Sequence, residues 1–110
     1  MIELESLEEM FSGMRANTNW NVDGPMLWGY FFTDRHSEKL EKAATHLTAQ
    51  GYRLVGIHET DDHSTRVLHV ERVEAHSPQT LFARNEILYE VAKQFGLDSY
   101  DGMDVGPVPS

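Results

Sequence analysis

The chain contains no cysteine, which excludes a disulfide framework, a thiolate metal site and a cysteine nucleophile. Positive charge is scarce: nine Lys and Arg face eighteen Asp and Glu, for a formal net charge of −9. Such a field repels a phosphate backbone unless the few arginines gather on one face, and it suits a basic protein partner. Long hydrophobic runs are also missing. The longest, Met26 to Phe32, falls far short of the ~20 residues that cross a bilayer. The acidic start lacks the positive opening of a secretory signal, so a cytoplasmic location without membrane contact is expected. No glycine-rich phosphate loop, Gly-x-Ser-x-Gly elbow or His-Glu-x-x-His pair occurs, and neither enzyme activity nor a cofactor is expected.

What is present describes one soluble domain. At 110 residues, 40% hydrophobic and 25% charged, the chain is long enough for a single core. From Ile2 to Arg15 the apolar residues Ile2, Leu4, Leu7, Met10, Phe11 and Met14 recur in steps of three and four, with Glu3, Glu5, Glu8 and Glu9 between them. That spacing predicts an amphipathic helix with acids near its positive end. A linker rich in Asn, Asp, Gly and Pro follows to Pro25, dividing an N-terminal helix and linker, 1–23, from a main domain, 24–110.

Met26 to Phe32 is apolar on both alternating faces, as in a central strand. Thr33 or Asp34 can cap a helix carrying Leu40, Ala43, Ala44 and Leu47 and ending at Gly51. Tyr52 to Glu59 and Thr65 to Val73 read as a hairpin across a short polar turn. Ser77-Pro78 opens a second helix of the main domain, with Leu81, Leu88, Ala92 and Phe95 on one face and Gly96 as its stop. Tyr100 to Val105 supplies a last strand, and Asp101-Gly102 favours a reversal or a bulge. The order β-α-β-β-α-β predicts an α+β, ferredoxin-like sandwich with an additional N-terminal helix. With helices on one sheet face, either Met26, Trp28, Tyr30 and Phe32 or Leu27, Gly29 and Phe31 need other cover, from the N-terminal helix or a second subunit.

The order of elements, the stretch Gly29-Tyr30-Phe31-Phe32-Thr33, the run Leu68-His69-Val70-Glu71-Arg72-Val73-Glu74 and the closing Tyr100-Asp101-Gly102 resemble the regulator of ribonuclease E activity B (RraB) family from about Gly24 to Pro109. The resemblance implies a ferredoxin-like protein inhibitor that binds ribonuclease E or a related RNA-processing enzyme. It carries over Tyr100, Asp101 and Gly102 as a family signature, with a structural role for the turn. Met103 stands where the family commonly has tryptophan; a thioether fills similar apolar space. The named inhibitor has acidic terminal extensions, whereas this sequence closes at Pro109-Ser110. That leaves either a different partner or a contact made by the acidic first helix.

The expected function is therefore non-enzymatic: binding and masking a protein partner, with an acidic face that steers and apolar groups that lock the contact. Leu4, Leu7, Glu8, Glu9 and Phe11 on the first helix, and Trp28 and Tyr30 on the sheet, are the candidate contact residues. A small acidic immunity-type inhibitor and a homodimeric small-ligand-binding regulatory domain are the alternatives. An RNA-binding sheet using Trp28, Tyr30 and Tyr52, with Arg53, Arg66 and Arg72 beside them, is disfavoured by the acids among the arginines. His58 and His63 flank Glu59, Asp61 and Asp62, but without a recognised ligand spacing, so no metal site is assigned.

Overall fold

The computed structural model describes residues 2–109. Seven elements follow in order: α1 (Leu4–Asn17), β1 (Met26–Asp34), α2 (Ser37–Ala49), β2 (Arg53–Glu59), β3 (Arg66–Glu74), α3 (Pro78–Gln94) and β4 (Ser99–Gly106). The protein is α+β, with three helices and one four-stranded antiparallel sheet ordered β2-β3-β1-β4.

β1 and β3 form the centre of the sheet, in unbroken register from Met26 opposite Glu74 to Asp34 opposite Arg66. Side chains alternate across a strand, and the even-numbered set of β1 is the one the helices cover. Met26, Trp28, Tyr30 and Phe32 are all buried, joined by Leu68 and Val70 of β3. The N-terminal helix supplies part of this cover. Leu7, Phe11 and Met14 are buried, and the Phe11 ring stacks on Trp28 with centroids 5.9 Å apart. α1 thus lies beside α3 in the same helical layer, and its apolar stripe belongs to the common core. The opposite sheet face, which presents Leu27, Gly29 and Phe31, carries no helix.

Local chemistry sets the element ends. At α3, Ser77 and Thr80 exchange reciprocal bonds: the Thr80 N–H donates to Ser77 Oγ (3.2 Å) and the Ser77 N–H to Thr80 Oγ1 (2.8 Å), with Pro78 in the first turn. α2 and α3 both close with a glycine at positive φ, Gly51 at 99° and Gly96 at 64°, and with Tyr52 and Leu97 N–H groups reaching back to Leu47 and Ala92. The cap expected at Thr33 or Asp34 falls two residues beyond Asp34. His36 is the N-cap of α2, and the buried Asp34 carboxylate accepts from the N–H of His36 (2.8 Å) and of Asp98 (2.9 Å), tying the end of β1 to the start of β4.

Replacing Phe11 by Ala opens a cavity beside Trp28 and is expected to lower stability by roughly 3–5 kcal/mol. Glu9→Ala, on the exposed side of the same helix, is expected to stay within about 0.5 kcal/mol. Urea denaturation followed by tryptophan fluorescence distinguishes the two; equal stability of both variants would mean that α1 is not part of the cooperative core.

Candidate protein-binding surface

Of the seven residues that the sequence put forward as contacts, four lie inside. Leu7, Phe11, Trp28 and Tyr30 are at most 1% exposed, so each acts through packing and none presents a side chain to a partner in this conformation. The reason is the location of α1: the apolar stripe expected to meet a partner meets the sheet instead. Leu4 is half-buried and Glu8 and Glu9 are exposed.

Leu4 and Glu8, a turn apart on α1, lie near residues that the sequence pattern did not single out as contacts. The Ile2 N–H donates to the Tyr89 hydroxyl of α3 (3.1 Å), which holds the start of α1 against the α3 stripe carrying Phe82, Glu86 and Tyr89 at helical spacing. Ile2, Leu4 and Phe82 line a notch of about 340 Å³, with Glu3 on its rim. Glu8 follows Leu4, and Glu86 follows Phe82, by one turn. Among the described residues, Glu3, Glu5, Glu8, Glu9, Glu86 and Glu90 form no salt bridge, whereas Arg15 pairs with Asp23 (2.6 Å). The result is an apolar notch lined in part by Glu3, with Glu8 and Glu86 one turn from its apolar residues and in no salt bridge among the described residues. Phe82 was missed because its stripe lies beside, not on, the core stripe of α3.

The closing signature has a clear geometry. Phe31 pairs with Gly102 and Phe32 with Tyr100, so Asp101 is the extra residue of a β-bulge and Gly102 takes φ 117°, which disfavours any side chain. Asp101 is exposed. Tyr100 is buried between Phe32 and Tyr89, and its hydroxyl donates to Asn85 Oδ1 (2.6 Å). The Asn85 amide contacts Met103 Sδ (3.7 Å), so β4 is clamped to α3 through one buried amide. Burial pushes the Tyr100 hydroxyl well up, keeping it a neutral donor.

A second polar constellation lies where β3 meets α3. Glu74 accepts from the Tyr30 hydroxyl (2.7 Å), His76 Nε2 (3.1 Å) and Arg84 Nη2 (2.5 Å). Burial alone would raise the Glu74 carboxyl, but the bonds from His76 and Tyr30 and the Arg84 charge outweigh it and hold the group at about 2, below its ordinary 4.5. Burial and the Glu74 contact push the Tyr30 hydroxyl well above its usual value.

The aromatic platform weighed for RNA does not exist as a surface. Trp28 and Tyr30, on the covered side of β1, and Tyr52, just before β2, are all buried. The arginines are engaged: Arg53 with Glu71, Arg66 with Glu59 (3.5 Å) and the Arg35 carbonyl (2.9 Å), and Arg72 with the Gln50 carbonyl (3.1 Å). On the helix-free face Phe31 stacks on His69 (4.4 Å), beside Gly29, where an added Cβ would collide with His69 Nε2 and Asp104 Oδ1. At the hairpin turn His63 Nδ1 bonds Glu59 Oε2 (2.6 Å), and Asp62 accepts from Thr60 and Ser64, which holds its carboxyl at about 2. These contacts are those of a polar turn.

The protein is a small α+β domain whose described surface includes an acidic, locally apolar notch. Residues 4–105 match the family described as Regulator of ribonuclease activity B. This match takes in α1 and nearly the whole chain, and the protein belongs to that family. The family regulates a ribonuclease and is not itself a catalytic one. No curated protein matches the sequence. Among the described residues, no helix is long and apolar enough to cross a membrane.

Glu74→Gln is expected to lower stability by roughly 3 kcal/mol at neutral pH, since it leaves Arg84 without its anion. The depressed Glu74 carboxyl contributes stability that is fully present above about pH 4.5 and is lost as the pH falls towards about 2. Thermal unfolding between pH 6 and pH 2.5 should therefore show a steeper acid loss for the wild type than for Glu74→Gln. Parallel curves would remove Glu74 from this role.

Proposed function

We propose that the protein is a ferredoxin-like, non-enzymatic regulator that binds ribonuclease E, or a related RNA-processing enzyme, in the cytoplasm and masks part of it. The β-α-β-β-α-β order and the strand sequence β2-β3-β1-β4 support the ferredoxin-like description. Family membership supports ribonuclease control. The observation that carries the mode of contact is the notch of Ile2, Leu4 and Phe82, lined also by Glu3, with Glu8 and Glu86 one turn away and in no ion pair among the described residues.

The physical sequence of events follows from the surface. Unpaired Glu8, Glu9 and Glu86 draw a basic segment of the partner towards α1 and α3, which raises the encounter rate and makes it salt-sensitive. An apolar side chain of that segment then enters the notch between Leu4 and Phe82, and its desolvation slows release. Tyr100, Asp101 and Gly102 contribute indirectly, by fixing β4 to α3 through the bulge and the Asn85 clamp.

Binding of purified ribonuclease E to the immobilised protein at about 50 and 200 mM salt tests this reading. Glu8→Lys with Glu9→Lys is expected to weaken binding at least about tenfold at the lower salt and to flatten the salt dependence. Phe82→Ala is expected to accelerate dissociation several-fold while leaving the salt slope intact. Absence of binding by the folded wild type, or equal binding by all variants, would refute the assignment of partner or surface respectively.

A further inference from the structure

We propose that a cleft between α2 and α3 binds a small molecule bearing a single oxyanion group, a phosphate or a carboxylate. This inference is independent of the ribonuclease reading and concerns a different part of the surface. The cleft encloses about 220 Å³, and its walls include Leu47, Gln50, Tyr52, Arg72, Arg84 and Ile87. That volume is below the range of drug-sized pockets and matches a ligand of few non-hydrogen atoms.

Two buried donors belong to residues that line it, behind its accessible surface. Tyr52 is 94% buried, and among the described residues its hydroxyl makes no hydrogen bond of good geometry beyond its approach to the Arg72 guanidinium, while Arg84 Nε is buried and unpartnered there. Buried polar groups are almost always satisfied, so two such donors in one small cleft are unusual. Burial raises the Tyr52 pKa, against the pull of Arg84, so the phenol keeps its proton and can donate.

The charge of the cleft selects the ligand's sign. The Arg72 and Arg84 guanidiniums lie over the Tyr52 ring, at 5.3 and 5.7 Å from its centroid. Among the described residues one carboxylate, Glu74, is paired with them, through Arg84 Nη2 (2.5 Å) and Arg72 Nε (3.6 Å). Cations thus outnumber anions here in a chain whose net charge is −9. Arg72 Nη1 donates to the Gln50 carbonyl (3.1 Å), which anchors this guanidinium as the outer wall. An oxyanion held by Arg84 Nε, the Tyr52 hydroxyl and Arg72 would satisfy all three with charge-assisted bonds. The apolar wall is open to a ligand's hydrocarbon part, since Ile87 is 53% exposed at the mouth.

Isothermal titration of the intact protein with inorganic phosphate, phenyl phosphate and benzoate, with benzamide as the neutral control, tests the site. Expected is saturable binding of at least one of the three anions, no saturable binding of benzamide, and about a tenfold loss of affinity in Tyr52→Phe and in Arg72→Gln. Both variants spare the Glu74 to Arg84 pair, and thermal unfolding checks that they remain folded. The proposal is overturned if no anion binds up to about 10 mM, if benzamide binds as well as benzoate, or if both folded variants bind as the wild type does.

Discussion

The rest of the molecule depends on the burial of one face of β1. Trp28, Tyr30 and Phe32 are fully enclosed, and aromatic side chains of this size dominate the apolar area of a small core. To enclose them the chain needs three helices over one sheet face. α2 and α3 form part of that layer, while α1, reached through a linker, places Phe11 on Trp28. The acidic surface of α1 is therefore held in a fixed orientation by the core beneath it.

The same constraint determines where polar groups go. Tyr30 brings a hydroxyl into the helical interface, and Glu74, at the end of β3, accepts from it. A carboxylate taken out of water requires a positive partner and hydrogen-bond donors; Arg84 provides the charge, and His76 and Tyr30 donate. Arg84 is then oriented across Tyr52, and the two guanidiniums gather on an otherwise acidic molecule. Packing, ion pairing and the cleft between α2 and α3 form one connected chain of causes that starts from an aromatic strand.

The helix-free face presents a different balance. Phe31 and His69 stack on each other, and Glu71 pairs with Arg53, so the central strands carry mutually satisfied groups there. Among the described residues, carboxylates without an ion pair are spread over α1, α2, α3 and β4, and those one turn from the apolar notch, Glu8 and Glu86, lie on α1 and α3. The apolar notch of Ile2, Leu4 and Phe82 lies on the helical layer, at the start of α1 and on α3.

The residue pattern by itself determined the elements, their order and the pairing of hairpin and helices, because periodicity, glycine stops and the Ser77-Pro78 start are local signals. It also determined family membership, through short stretches such as Tyr100-Asp101-Gly102, and the bulge was one of the two outcomes that Asp-Gly allows. It did not determine which apolar residues face outwards. Leu7, Phe11, Trp28 and Tyr30 are suitable both for a core and for an interface, and only the docking of α1 on the sheet assigns them to the core. Nor did it reveal the notch of Ile2, Leu4 and Phe82 or the meeting of Tyr52, Arg72 and Arg84. Those groups lie on separate elements, and distance along the chain carries no information about proximity until the strands are ordered and the helices laid across them.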